Sequence, residues 1–148
     1  MRVRPGLSSA MLIILVAGSA EAADLTPDQI CLAGAWADVG VTECNKGVCQ
    51  SRDGNTRTFK VTKRDSNEIS ISLVRQKDKK KFDYLCRVEG DRVIISGVVD
   101  GKPGPRWTNP DRPSDLKKFY RVEGDEILII DRYSDEPGDE TRYALSSL

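Results

Sequence analysis

The sequence contains no histidine, and its four cysteines form no C-x-x-C pair. A chain without histidine cannot build a Ser-His-Asp triad, a Cys-His nucleophile or a His-ligated zinc site. It also lacks an excess of charge of either sign, because 23 Lys and Arg residues balance 23 Asp and Glu residues. Nucleic-acid-binding proteins usually carry a clear basic excess. These absences argue against the His-dependent enzymes, a redox-active dithiol and a nucleic-acid partner, and we expect no metal or cofactor.

The beginning of the chain has the features of a secretory signal peptide. Arg2 and Arg4 give it a positive start, and the apolar run Ala10–Ala17 is too short to span a bilayer. Ala20–Ala22 then supplies an A-x-A cleavage pattern. We therefore expect residues 1–22 to be removed, which leaves a single domain over residues 23–148. That domain is expected to be periplasmic or secreted, with no membrane span after cleavage.

Short runs of alternating apolar and polar residues, separated by turn residues, fill most of the chain. In residues 68–73, isoleucine and leucine alternate with glutamate and serine, so one face of an extended chain is apolar. Before these runs, Thr26, Pro27 and Gln29 predict a short helix that ends at Gly34. The pattern predicts an all-β fold, an antiparallel up-and-down meander barrel of about eight strands with one short N-terminal helix. The expected strands are residues 35–41, 47–52, 56–64, 68–75, 81–89, 92–99, 116–123, 126–133 and 140–146.

A similar motif occurs twice, at residues 86–95 and 120–129. Each copy has Gly-Asp at its centre, which predicts a hairpin with a two-residue turn and the glycine at positive φ. Apolar residues then meet apolar residues across both hairpins, so the register is self-consistent. The expected cross-strand pairs are Val88–Val93, Cys86–Ile95, Val122–Ile127 and Tyr120–Ile129.

An even number of cysteines in an exported chain predicts disulfides. Cys44 and Cys49 bracket turn residues, so they can face each other across a hairpin. Cys86 occupies the position of Tyr120 in the repeat and should point inward, towards the helix that carries Cys31. Of the three pairings that four cysteines allow, we expect Cys31–Cys86 together with Cys44–Cys49. The alternative is a four-thiolate zinc site, which the spacing fits poorly.

The longest interruption between expected strands is residues 100–115, which contain four prolines among 16 residues. Ordered loops of this length are often functional. Trp107, flanked by Arg106 and Arg112, has the composition of a binding hot spot. The other interpretation is that Trp107 folds back as a lid on the barrel mouth, which the cost of exposing a tryptophan favours.

Two expected strands, around residues 93–95 and 127–130, are apolar on both faces. A half-solvated antiparallel sheet needs only one apolar face, so the outer face of these strands must be covered. Either the long loop or a second copy of the chain supplies the cover. We expect the loop to do so, and a monomer rather than a dimer.

A resemblance to known barrels rests on the residues LAGAW, from Leu32 to Trp36. A short helix followed by Gly-x-Trp resembles the start of the lipocalins and the broader calycin group. With Cys44 downstream, the stretch is also similar to the start of the small bacterial periplasmic metalloprotease-inhibitor family, whose members share an eight-stranded barrel and a nearby disulfide. The resemblance implies that Trp36 opens the first strand and closes one barrel end under an arginine of the last strand, here Arg142. It also implies binding rather than chemistry.

We therefore expect an exported, lipocalin-like binding protein that is not an enzyme. It would bind either a small apolar ligand in the barrel or an exported protein at the rim. Tyr84 and Tyr120 would line a ligand cavity together with Phe59 and Ile71, whereas a filled core would favour the rim. The lysine-rich turn at residues 77–81 is either an ordinary charged hairpin tip or a docking site for an acidic partner. The alternative functions are a periplasmic protease inhibitor and an enzyme of unknown type.

Overall fold

The structure, a computed structural model, describes residues 24–104, 116–133 and 138–148. This part of the chain forms helix α1 (Pro27–Asp38), ten strands and a final 3-10 helix (Leu145–Ser147). The strands are β1 (Val41–Asn45), β2 (Val48–Ser51), β3 (Thr56–Asp65), β4 (Glu68–Arg75), β5 (Lys80–Glu89), β6 (Arg92–Val99), β7 (Lys102–Pro103), β8 (Leu116–Glu123), β9 (Glu126–Tyr133) and β10 (Asp139–Ala144).

The strands form an antiparallel sheet that curls into a nearly closed barrel. They pair in the order β1-β2-β3-β4-β5-β6-β8-β9-β10, and the two-residue β7 adds to β6. Near the seam, the hydroxyl of Tyr143 donates a hydrogen bond of 2.9 Å to the carbonyl oxygen of Val41, which links the last strand to the first. The predicted all-β meander barrel with a short helix is confirmed, and the architecture is compatible with a lipocalin-like fold.

Eight of the nine expected strands are present; four have the expected bounds, and the ends of the other four differ by at most two residues. The strand expected at residues 35–41 is wrong, because the helix continues through this segment and β1 begins only at Val41. Strand β7 was not expected; it pairs Lys102 and Pro103 with β6 inside the expected long loop.

Helix α1 begins as its sequence predicts but ends later. The side-chain oxygen of Thr26 accepts a hydrogen bond from the backbone N–H of Gln29, whose side chain accepts one from the backbone N–H of Thr26. This capping box satisfies two backbone donors that the first turn leaves free. The prediction that Gly34 ends the helix is wrong, since α1 continues to Asp38.

Within the described ranges, no helix combines the length and apolar character needed to cross a bilayer.

The helix lies against the inner face of the barrel and supplies much of its core. Its side chains at Cys31, Ala33, Ala35 and Trp36 have no exposed surface. Gly34 is needed in this arrangement because a Cβ at that position would lie only 2.8 Å from Cγ1 of Val93 on β6. The strands complete the core with their inward-facing residues. These include Val41, Phe59, Ile69, Ile71, Leu73, Cys86, Val93, Ile127, Ile129 and Tyr143.

Both repeated motifs form the predicted hairpins. All four expected cross-strand pairs are found, two between β5 and β6 and two between β8 and β9. Gly90 and Gly124 both have φ of 60°, in the region that costs a glycine least. Cys86 and Tyr120 therefore point to the inner side of the barrel, as the repeat predicted.

Both predicted disulfides are present. Cys31 of α1 is bonded to Cys86 of β5, with their Cα atoms 5.9 Å apart. Cys44 of β1 is bonded to Cys49 of β2, with their Cα atoms 4.1 Å apart. The first bond ties the helix to the inner face of the sheet, and the second closes a single hairpin.

The outer face of β6 and β9 is buried within one chain. Ile94, Leu128 and Ile130 alternate with core residues and so point away from α1, yet they are only 5%, 0% and 5% exposed. Arg142 of β10 lies opposite Leu128 in the strand register, on the same outer face. The expected contribution of the long loop concerns residues 105–115, which lie outside the described residues. Burial of this face needs no second copy of the chain.

Candidate functional site

Helix α1 places side chains in the barrel interior, where a ligand was expected. Phe59 packs edge-on against Trp36, with ring centroids 6.4 Å apart, and Ile71 has no exposed surface. Tyr84 and Tyr120 are half-buried and pack against the margin of this core. Phe59 and Ile71 thus belong to a packed core, and Tyr84 and Tyr120 pack against it. This is the condition under which binding was expected at the barrel rim.

Trp36 and Arg142 do not have the relationship that the resemblance implies. Trp36 lies near the end of α1 rather than on the first strand, and its ring contacts Tyr143 of β10, with centroids 5.3 Å apart. Arg142 precedes Tyr143 and therefore points to the opposite, outer face. It forms ion pairs there with Glu123, Glu126 and Glu140. The role expected for Arg142 is wrong, and the alternation of β10 could have indicated Tyr143 as the core partner.

Tyr84 lies near Arg57, which forms an ion pair with Asp53. Burial, with a smaller effect from the negative charge of Asp38, raises the pKa of Tyr84 to about 12, so its phenol is neutral at physiological pH. Arg57 holds Asp53 through two hydrogen bonds of 3.0 and 2.8 Å. This guanidinium keeps the pKa of Asp53 well below its usual range. The charges of Arg57 and Asp53 compensate each other, so this pair offers little net charge to a binding partner.

The hot-spot residues Trp107, Arg106 and Arg112 lie outside the described residues, and both interpretations of Trp107 stay predictions. The start of the long loop is held in place, because the backbone N–H of Gly104 donates to Oγ of Ser96 at 2.9 Å. The loop therefore leaves the barrel beside β6.

An open concavity of about 500 Å³ lies on the outer side of strands β2 to β5. Its lining includes three lysines, Lys46, Lys60 and Lys81. The lining also includes hydroxyl side chains, those of Thr58, Thr62 and Ser72, and two apolar side chains, those of Val48 and Val74. We call these eight residues the lysine face. No local sequence motif marks it, because its members come from four strands and one turn.

The lysine-rich turn contributes to this face through one residue. Lys81 lies in the lining, whereas Lys79 donates to the side-chain oxygen of Gln76 at 2.5 Å. The ammonium of Lys80 instead lies 5.2 Å from the ring centroid of Phe82, which is within cation–π range. The alternation of β5 separates Lys80 from Lys81, so a run of lysines in the sequence is divided between two faces of the sheet.

The charges on the lysine face are poorly compensated. Among the described residues, Lys46 and Lys60 have no ion-pair partner, and Lys81 approaches Asp83 only at 3.8 Å. On the outer face of β8 and β10 the arrangement differs, since Arg121 and Arg142 share one network with three glutamates. The formal net charge of zero therefore hides a local basic surface.

Known proteins give no indication of a function, so a functional proposal must rest on the structure. No protein family, curated protein or solved structure matches the chain. The part of the chain that the structure describes also contains no group of three or more residues that could hold a metal ion.

Proposed function

We propose that the chain is an exported binding protein that recognises a protein partner through its outer surface, at the lysine face. The observation that carries this proposal is the position of α1, whose buried side chains occupy the barrel interior. Sites for small molecules are usually preformed, largely enclosed and mostly apolar. The open, partly cationic concavity of the lysine face suits contact with a protruding segment of another molecule better than enclosure of an apolar ligand.

The disulfides and the barrel support the exported, lipocalin-like character of the proposal. Two disulfides are typical of proteins that fold in an oxidising compartment, such as the periplasm or the outside of the cell. The lipocalin-like resemblance now rests on the barrel architecture, since Trp36 lies on the helix instead of the first strand. Folds of this kind serve many functions, so the surface chemistry must identify the target.

Native mass spectrometry of the mature chain, purified from the compartment to which it is exported, tests the filled interior. We expect the measured mass to equal that of the disulfide-bonded chain, with no retained apolar molecule. We also expect no saturable binding of an apolar fluorescent dye to the folded protein. A co-purified apolar ligand in stoichiometric amount would contradict the proposal and would favour binding inside the barrel.

Site-specific photo-cross-linking in intact cells tests the surface. p-Benzoylphenylalanine in place of Thr62 would lie in the lysine face, whereas the same group in place of Asp139 on β10 gives a control at another exposed position. We expect a discrete cross-linked species from the Thr62 position and none from the Asp139 position. Equal yields at both positions, or no product at Thr62, would contradict the proposed site.

A further inference from the structure

Resting on the proposed function, we propose that the lysine face binds an acidic protein segment that carries one apolar side chain between its carboxylates. The same concavity is lined by Lys46, Lys60 and Lys81, and the first two have no ion-pair partner among the described residues. Like charges held close together repel one another, and a bound anion relieves that repulsion. Carboxylates of a partner therefore gain more here than at the self-neutralised arginines of β8 and β10.

The apolar part of the lysine face indicates why a carboxylate alone is not the whole ligand. Val48 is 46% exposed, which is unusual in this chain, where few large apolar side chains reach the surface in the described ranges. Val74 lines the same concavity from β4. Covering these two valines removes apolar area from water, which adds affinity and fixes the position of the partner.

The residue types favour a protein over a nucleic acid. Binding of single-stranded nucleic acid usually relies on aromatic rings that stack on the bases, and base readout relies on arginine. The described lining of the concavity holds no arginine, and its one aromatic residue, Phe59, is only 8% exposed and faces the core. Lysine acts as a point charge without the fork geometry of arginine, which suits dispersed carboxylates.

The strand spacing gives the length of the segment. The lysine face extends across four neighbouring strands, from Val48 on β2 to Lys81 on β5. Strands lie ~4.8 Å apart, so the face is ~14 Å wide, and an extended chain at ~3.3 Å per residue crosses it with about five residues. A segment of five residues, with one central apolar residue and two acidic residues on each side, matches this width.

An NMR titration of the full mature chain with a capped five-residue peptide tests the inference. The probe has leucine at its centre and two acidic residues on each side. One control peptide replaces the leucine by glycine, and a second replaces the acidic residues by their amides. We expect saturable shifts confined to the lysine face, and binding that weakens as salt is added. Each control peptide is expected to bind at least about tenfold more weakly than the probe.

Matched variants separate the site from general electrostatics. The double substitution Lys46→Glu with Lys60→Glu should weaken peptide binding at least about tenfold, because two attractive charges become repulsive. Lys46→Gln with Lys60→Gln removes the charges without reversing them and should give a smaller loss. Lys63→Glu changes an exposed lysine on the same strand outside the lining and should alter binding less than about twofold. An equal loss in the Lys63 variant would overturn the inference.

Failure of this inference can be told apart from failure of the proposed function. If the peptide does not bind, or if the leucine and glycine peptides bind equally, the stated partner chemistry is wrong. The lysine face nevertheless remains the docking surface if the cross-link at Thr62 forms. If that cross-link is also absent, the proposed function falls with the inference. Peptide binding that is lost in the Lys46 and Lys60 variants, together with the Thr62 cross-link, supports both.

Discussion

Replacing Gly34 by alanine tests whether α1 packs directly on the inner face of the barrel. In an exposed helix this change would stabilise the fold by about 1 kcal/mol, because alanine favours the helix and glycine does not. Here the added Cβ would lie 2.8 Å from Cγ1 of Val93 and 3.6 Å from Cδ of Lys118. The valine cannot move aside easily, since a β-branched side chain has restricted freedom at χ1 and Val93 is 3% exposed within the core.

The expected size of the effect follows from these two opposing contributions. Forcing an extra methyl group into a packed core typically costs about 1–3 kcal/mol. After the gain of about 1 kcal/mol in helix propensity, we expect Gly34→Ala to lower the free energy of unfolding by about 1 kcal/mol. In a Val93→Ala background the clash is removed. The same Gly34→Ala change should then raise the free energy of unfolding by about 1 kcal/mol.

Urea denaturation of the disulfide-intact protein measures all four members of this double-mutant cycle. The reversal of sign between the two backgrounds is the diagnostic result. Stabilisation by Gly34→Ala in both backgrounds would refute the reasoning, because it would show that nothing lies close to the helix at this position. Ala33→Gly, at the preceding helix position, is the reverse substitution and serves as a control. It should lower the free energy of unfolding, because it loses both helix propensity and a buried methyl group.

Two further predictions concern the disulfides and one tyrosine. Replacing Cys31 and Cys86 together by alanine should cost about 4 kcal/mol, because that bond closes a loop of 55 residues, whereas replacing Cys44 and Cys49 should cost about 2 kcal/mol. Urea denaturation ranks the two, and the reverse order would contradict the loop-entropy argument. Since the pKa of Tyr84 is raised to about 12, stability should fall as pH rises from 10 through 12. When pH is raised and tyrosine ionisation is followed by absorbance at the phenolate band, the Tyr84→Phe variant should lack a component that titrates near pH 12. Loss of a component that titrates near pH 10 instead would contradict this.

The strands and hairpins were predictable because their signals are local. Alternation identifies which residues share a face, and the Gly-Asp centres of the repeat determine the register of two hairpins. That register in turn indicated that Cys86 points inward, from which the disulfide to Cys31 followed. These inferences needed no knowledge of distant contacts.

The end of the helix was not predictable from local signals. A glycine after about two turns is typical of a helix C-terminus, and Gly34 was interpreted in that way. In the structure, contact with Val93 requires a residue without a side chain at this point. Because the helix continues past Gly34, Trp36 lies on the helix and not on the expected first strand. Its ring contacts Tyr143 and not Arg142.

The candidate site was hidden for a different reason. Its three lysines lie at residues 46, 60 and 81 and come together only when the register of β2 to β5 is known. The balanced net charge gave no sign of them, because it sums over surfaces that differ in their ion pairs. The lysine-rich turn at residues 77–81 contributes only Lys81 to the lining of the candidate site.

Mapping the disulfides by mass spectrometry of peptides prepared without reduction tests the central claim most directly. Cys86 faces the interior of the barrel, so a bond from Cys31 places the helix inside and leaves binding to the outer surface. We predict that Cys31 is bonded to Cys86 and Cys44 to Cys49, with no free thiol. A bond from Cys31 to either cysteine of the β1–β2 hairpin, or a free thiol at Cys86, would contradict it.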